Sequence, residues 1–205
     1  MSNNFDMIGL FAVPLIKIKF KDHYKYNFPQ VEKKDRTPKG WKMSLNSTFP
    51  NIPDDDLVVL PMVRNNLKKD LKFSILEVFE QLNIPTSIEF GQFWYNIYHD
   101  NQGQERHDHL SPLDKRPTFW SGIYYNKNAS PTHFHRDNLS IINSQRFDGC
   151  METALAPCLA EGCQVPVEDG DILLFPPYLP HSVESKDEHQ YKMRMTFSFN
   201  ILLNS

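Results

Sequence analysis

Two histidines separated by one residue, His107 and His109, form the sharpest chemical motif in the sequence. In a β-strand, residues i and i+2 project from one face, so both imidazoles would point together as two metal ligands must. Asp108 would project from the opposite face and could not join them at one metal. An exposed pair of histidines in a polar loop is the alternative, because so short a motif often occurs without function.

A third histidine, His181, ends the segment 170–181, in which a turn glycine precedes an apolar strand and a proline-rich bend. This arrangement predicts that a distant histidine is brought beside the earlier pair. Imidazole suits iron, copper, zinc and nickel, so the ligand type alone does not identify the metal. A surface histidine next to a proline turn is the alternative interpretation.

The last predicted strand alternates cleanly between apolar and polar residues. One face carries Met193, Met195, Phe197 and Phe199, and the other carries Lys192, Arg194, Thr196, Ser198 and Asn200. Such a polar face is expected to line a site, where Arg194 could bind a carboxylate through two parallel N–H groups. Without the other motifs, a wet polar face on an edge strand would explain the pattern equally well.

The elements that must position these residues are one helix and a series of short strands. A helix is predicted over residues 65–81, where Leu67, Leu71, Ile75, Val78 and Phe79 recur at helical spacing. Strands are predicted at residues 8–20, 87–98, 106–110, 119–125, 133–135, 139–142, 181–184 and 192–202, with a hairpin over 165–175 that turns at 168–171.

This order of elements predicts an all-β core with a flanking helix, in the α+β class. A jelly roll, or double-stranded β-helix, is the commonest small architecture of this kind. We expect a single domain over residues 1–205. Residues 1–86 would supply an N-terminal strand, a loop and the supporting helix, and residues 87–205 the jelly-roll core.

Composition excludes several classes of protein. The net charge is −3 over 205 residues, so the basic surplus of a nucleic-acid-binding protein is missing. No apolar run approaches the length of a membrane span, and no signal peptide is recognisable. The three cysteines, Cys150, Cys158 and Cys163, are too few for a disulfide framework, which favours the cytoplasm. Their irregular spacing also disfavours a zinc site.

Taken together, the motifs resemble the 2-oxoglutarate/Fe(II)-dependent oxygenase superfamily, in its prolyl-hydroxylase-like branch. That family has HxD, a strand ending in paired aromatic or apolar residues, a distal histidine, and then Arg or Lys. This sequence supplies His107-x-His109, Ser121-Gly-Ile-Tyr-Tyr125, His181 and Arg194 in the same order. The resemblance is strongest to a small group with HxH, SGVYY, LFPSWLPH and RxSxSFN blocks. Residues 9–14 and 94–96 are similar as well.

The resemblance implies which residues bind the cofactors. Fe(II) would be held by His107, His109 and His181, and 2-oxoglutarate would chelate the iron. The far carboxylate would pair with Arg194 and accept a hydrogen bond from Tyr125. Three further residues, Ser121, Asn96 and Ser198, are assigned to the same cofactor pocket. With O2 as co-substrate, an unactivated C–H bond of a small-molecule or peptidyl substrate would be oxidised. Formation of a homodimer is left open.

One departure from the family pattern concerns the third metal ligand. The family's Asp position holds His109, so the site would contain three histidines. Alternatively, a water or Asp137 completes the metal's ligands. Asp137 belongs to a second HxD, His135-Arg-Asp137, which we interpret as a decoy. Trp94, Tyr98 and residues 111–118 could frame the substrate entrance, although core packing is the preferred interpretation for Trp94.

Two other functions fit parts of the pattern. A cupin-type metal enzyme without 2-oxoglutarate would share the Gly170, Pro176 and His181 spacing. It also requires a glutamate shortly after HxH, where Leu113 and Asp114 stand instead. A non-catalytic jelly-roll module that binds a carbohydrate or a protein would need no metal. In that case the histidines and Arg194 would occur together by accident.

Overall fold

The computed structural model describes residues 13–49, 58–110, 116–135, 162–185 and 193–204. These residues contain one α-helix, α1 (Pro61–Gln81), and ten strands. The strands are β1 (Ile16–Lys19), β2 (Asn46–Ser47), β3 (Ile88–Tyr98), β4 (Gln104–His107), β5 (Trp120–Lys127), β6 (His133–His135), β7 (Gly162–Gln164), β8 (Asp171–Phe175), β9 (His181–Val183) and β10 (Arg194–Leu203). Among the described residues, no helix is long and apolar enough to cross a membrane.

The strands form two antiparallel sheets. The larger has six strands in the order β1-β8-β5-β10-β3-β2, and the smaller has four in the order β4-β9-β6-β7. The apolar residues of β10 join one core cluster with the buried side of α1. A second cluster combines Ile123, Leu173 and Phe175 of the large sheet with Phe134 of the small one, so it lies between the sheets.

Helix α1 covers the outer face of the large sheet. Its buried residues, Leu67, Leu71, Ile75 and Phe79, recur every fourth position and form one apolar stripe, as predicted. The helix begins four residues earlier than the sequence predicts, at Pro61. Proline is well tolerated at this first position, because its missing N–H would have no partner within the helix there.

The predicted hairpin at 165–175 is wrong. Residues 165–167 form no strand, and β8 pairs with β1 and β5 in the large sheet. The nearby strand β7 pairs with β6 in the small sheet. Gly170 does form the predicted turn, with φ of 90°, but this turn leads from one sheet to the other.

Other predictions differ at element ends or cannot be compared. The strand predicted at 106–110 is β4, which ends at His107, so His109 lies beyond the strand. Residues 8–12 of the predicted early strand, the predicted strand at 139–142, Cys150 and Cys158 lie outside the described residues. Cys163 is exposed on β7.

Candidate active site

Three histidines converge between the sheets. His107 ends β4 and stands opposite His181, the first residue of β9. His109 follows β4, and its backbone N–H donates to the carbonyl of Pro177 at 2.8 Å, which holds this segment beside the bend before β9. One ring nitrogen from each histidine lies within 4.8 Å of the other two, and the group could hold a metal ion.

Backbone carbonyls determine which ring nitrogen of two histidines carries the proton. Nδ1 of His107 is 2.8 Å from the carbonyl oxygen of Glu105, and Nδ1 of His181 is 3.0 Å from that of Leu179. A carbonyl oxygen can only accept, so each Nδ1 is a donor and each Nε2 carries the lone pair. Both Nε2 atoms are therefore suited to ligate a metal.

His109 is oriented by side chains of the large sheet. Its Nδ1 lies 2.7 Å from Oδ1 of Asn200 and 2.8 Å from Oγ of Ser121. Asn200 donates through Nδ2 to Oε1 of Gln92 at 2.9 Å, so its oxygen must face His109. The same tautomer results as at the other two histidines, with the Nε2 lone pair available for a metal.

Burial keeps the three imidazoles neutral. Desolvation lowers the pKa of His107, lowers that of His109 to about 4, and lowers that of His181 well below its usual range. A metal ligand must be a neutral imidazole, because a protonated ring has no free lone pair. At neutral pH the three rings are therefore neutral, and none of their Nε2 atoms carries a proton.

An aromatic ring lies beside each of the three histidines. The ring of Phe175 lies 4.7 Å from that of His181. Trp41 lies 5.4 Å from His107, and Trp94 lies 5.9 Å from His109. These apolar walls limit the access of water to anything bound at the three nitrogens.

A buried cation lies at the other end of the site. Arg194 is 1% exposed, and its guanidinium lies 4.7 Å from the ring centre of Tyr98 and 5.6 Å from that of Tyr125. One nitrogen donates to the carbonyl of Ser130 at 3.2 Å, whereas Nε and Nη1 have no hydrogen-bond partner among the residues that the structure describes. No carboxylate within the described residues pairs with this charge.

One cavity connects the histidines with Arg194. Apart from these four residues, its walls are polar near β10 and mixed elsewhere. They comprise Trp94, Tyr98, Gln104, Ile123, Thr132, Val183, Thr196 and Ser198. The three histidines and Arg194 therefore line the same cavity.

Comparison with known proteins identifies the family. Residues 92–200, more than half of the chain, match the family model described as "Putative 2OG-Fe(II) oxygenase". The chain belongs to this 2OG-Fe(II) oxygenase family. A comparison with curated protein sequences finds no match.

Solved structures place this oxygenase family member in a known fold. HygX from Streptomyces hygroscopicus, with nickel and 2-oxoglutarate bound, is 13% identical over 94% of this chain and 84% of its own, with a TM-score of 0.52. The alpha ketoglutarate dependent carbocyclase SnoK from nogalamycin biosynthesis is 10% identical over 93% and 80%, also with a TM-score of 0.52. The predicted fold class, a mostly β structure with a flanking helix, is thereby confirmed, and a double-stranded β-helix is consistent with these neighbours.

A third solved structure is longer than this chain. An oxidoreductase of the 2OG-Fe(II) oxygenase family from Burkholderia pseudomallei is 10% identical over 70% of this chain, with a TM-score of 0.49. The chain spans 57% of the length of that oxygenase.

Of the residues assigned to the oxygenase cofactor pocket, only Arg194 and Ser198 line the cavity. Tyr125 donates to or accepts from Oγ1 of Thr132 at 2.8 Å and lies against the guanidinium. Ser121 contacts His109, as described above. Asn96 accepts from Ser47 and donates to the Ser198 hydroxyl at 3.3 Å, so it lies behind that residue.

Sequence reasoning missed several cavity residues. Thr132 precedes β6, and Gln104 begins β4, where no motif singled them out. Asn200 was placed only on the polar face of the last strand, without its contact to His109. Trp94 is only 5% exposed and also lines the cavity. It therefore both packs in the protein interior and belongs to the site.

The second HxD has a different environment. Phe134 projects inward, where its ring lies 5.1 Å from that of Phe175. Its neighbours in β6 must therefore project from the opposite face of the sheet. There the rings of His133 and His135 stack at 4.5 Å, and Nε2 of His135 lies 2.8 Å from the hydroxyl of Ser182. Asp137 lies outside the described residues.

Proposed function

We propose that this chain is an Fe(II)- and 2-oxoglutarate-dependent dioxygenase that oxidises a small-molecule or peptidyl substrate and acts as a single domain. His107, His109 and His181 would hold the metal, and Arg194 would hold the far carboxylate of 2-oxoglutarate. Membership of the oxygenase family supports this assignment, as does the convergence of three ring nitrogens.

The buried guanidinium of Arg194 carries the proposal. An ionised side chain removed from water without a counter-ion is costly, and two nitrogens of Arg194 have no partner in the described part of the chain. A carboxylate in the cavity would supply the missing charge and accept both N–H groups. 2-Oxoglutarate has a chelating 2-oxo acid at one end and a carboxylate at the other. It therefore matches the two ends of one cavity.

The charges of the cavity also favour a dianion. The three histidines are neutral, and the described residues that line the cavity include no acidic side chain. With a divalent metal and Arg194, the site would carry three positive charges opposite the two negative charges of 2-oxoglutarate. A family member with an aspartate ligand would carry one positive charge fewer.

The protein's own contribution is binding, orientation and exclusion of water. Fe(II), when bound, would supply the redox chemistry with O2 and 2-oxoglutarate. The carbonyls of Glu105 and Leu179 and the amide of Asn200 hold the three imidazoles in the ligating tautomer. Thr196 and Ser198 also line the cavity, and their hydroxyls would hydrogen-bond to co-substrate oxygens.

An anaerobic titration with Fe(II), followed by 2-oxoglutarate, tests the proposal. A visible metal-to-ligand charge-transfer band is expected only after both have been added, because the band requires the 2-oxo acid on the iron. Succinate release in air provides a second measurement. Iron binding without the band would favour a metal enzyme that does not use 2-oxoglutarate. Absence of both would favour a binding module.

A further inference from the structure

A glutamine beside the histidine cluster occupies a position that the proposed function does not explain. Gln104 is 5% exposed, and its Nε2 lies 3.2 Å from Nε2 of His107. Its Oε1 lies 2.9 Å from the hydroxyl of Tyr98. The side chain therefore connects a residue of the metal end with a residue that packs on Arg194.

A chain of donors and acceptors determines the direction of each hydrogen bond. The Glu105 carbonyl requires a proton on Nδ1 of His107, so Nε2 of the neutral ring can only accept. Gln104 must then present its NH2 group to His107, and its oxygen to Tyr98. Tyr98 must donate. Burial raises the pKa of Tyr98 to about 12, so the donating proton is retained at neutral pH.

This hydrogen bond uses the lone pair that a metal would need. The lone pair on Nε2 of His107 cannot accept from Gln104 and ligate a metal at the same time. A metal at the cluster would therefore leave the Gln104 N–H buried without an acceptor, which is unfavourable. Because the Tyr98 hydroxyl donates to Oε1 of the same amide, the N–H stays directed at the place beside His107 that another ligand of the metal would occupy.

We propose that Gln104 donates its N–H to Nε2 of His107 when no metal is bound. When a metal is bound, the same N–H donates to a carboxylate oxygen of the co-substrate. The inference rests on the proposed function, because it requires a carboxylate beside the metal. It makes Gln104 a positioning residue whose amide opposes metal binding and favours co-substrate binding. The interaction also joins the two ends of the cavity through Tyr98, whose ring lies against the Arg194 guanidinium.

The test is the Gln104→Met variant, which keeps length and apolar bulk but removes the amide. Calorimetry with Ni(II) alone should give about two- to tenfold tighter binding than wild type, since the competing hydrogen bond is lost. Calorimetry with 2-oxoglutarate on the Ni(II)-loaded protein should give about tenfold to a hundredfold weaker binding, since a charge-assisted bond is lost. Damage to the fold would instead weaken the binding of both Ni(II) and 2-oxoglutarate.

Two further variants distinguish a specific role of the Gln104 amide from a general effect on the structure. Gln102→Met is the matched control. This glutamine is also buried, but its side-chain partners among the described residues are the backbone of His99 and Lys34 and the hydroxyl of Ser44, none of which lines the cavity. It should leave both equilibria unchanged. Tyr98→Phe retains the ring against Arg194 and removes the hydroxyl that holds Gln104, a hydroxyl that also interacts with Arg194. It should therefore tighten Ni(II) binding by less than Gln104→Met does, and it should also weaken 2-oxoglutarate binding.

Two results would overturn the inference while the proposed function stands. One is weaker Ni(II) binding by Gln104→Met, which would mean that the amide supports His107. The other is 2-oxoglutarate affinity within about twofold of wild type. If wild-type protein binds Ni(II) but not 2-oxoglutarate, the proposed function is wrong, and so is the hydrogen bond from Gln104 to the co-substrate.

Discussion

The two ends of the cavity are built from different kinds of structure. Arg194 belongs to β10, which pairs with β3 from Arg194 to Leu203 and with β5 on its other side. His107 and His181 belong to the short strands β4 and β9, which pair with each other only at Gln104–Val183 and His107–His181. His109 lies beyond the end of β4. The carboxylate end is positioned by a long ladder, whereas the metal end depends on individual hydrogen bonds to the ring nitrogens.

The largest expected effect is at the metal end. His181→Ala should abolish Ni(II) or Fe(II) binding, because it removes one of three ligands from a buried site. His135→Ala is the control, since this histidine follows Phe134 in β6 and bonds to Ser182 on the other face of the sheet. Metal analysis of both purified variants checks the prediction. Equal loss of metal would show that the wrong histidines were chosen.

Substitution of Arg194 should weaken 2-oxoglutarate binding without weakening metal binding. Arg194→Ala should weaken 2-oxoglutarate binding on the order of 2–5 kcal/mol, at least about 30-fold, and leave metal binding almost unchanged. Arg194→Lys should lose less, because the charge remains although the planar pair of donors does not. Calorimetry on metal-loaded protein measures both. Parallel loss of metal and 2-oxoglutarate would mean that the two ends are not independent.

A smaller effect is expected from the amide that orients His109. Asn200→Leu removes the acceptor for Nδ1–H and should weaken Ni(II) binding by about tenfold to a hundredfold. Ser121→Ala should lose less, since Asn200 still accepts from His109. Titration with Ni(II) distinguishes the two variants. Unchanged affinity in Asn200→Leu would show that packing alone orients this imidazole.

The smallest effect concerns stability rather than binding. Arg194→Met replaces a buried charge that has no counter-ion within the described ranges, so the free energy of unfolding should stay the same or rise by up to about 2 kcal/mol. Thermal unfolding without 2-oxoglutarate measures this. Added 2-oxoglutarate should stabilise the metal-loaded wild type but not the variant. A large loss of stability would instead make Arg194 a structural residue of the core.

The same difference between regions explains which predictions succeeded. The alternation of β10 identified both of its faces correctly, because the side-chain period of a strand persists along the whole ladder. Arg194, Thr196 and Ser198 line the cavity, and Met193, Met195, Phe197 and Phe199 join the core beneath α1. The helix was also recognised, apart from its start at Pro61.

Local pattern was less informative where short strands change partners. The turn at Gly170 was recognised, but its flanking segments were wrongly paired as a hairpin. His109 was expected to share a strand with His107, yet it lies beyond β4 and reaches the cluster because its N–H bonds to Pro177. Neither outcome could be derived from residue spacing, because each depends on contacts between segments far apart in the chain.

The sequence by itself determined the family, the fold class, the three histidines and the buried arginine, since these follow from motif order and from strand periodicity. Only the tertiary structure decided which nitrogens face the cluster, that Asn200 orients His109, and that Gln104 meets His107. Hydrogen-bond direction depends on which donor and acceptor lie opposite each other across the sheets. That pairing is a property of the folded chain, because the local sequence does not encode which distant partner each group meets.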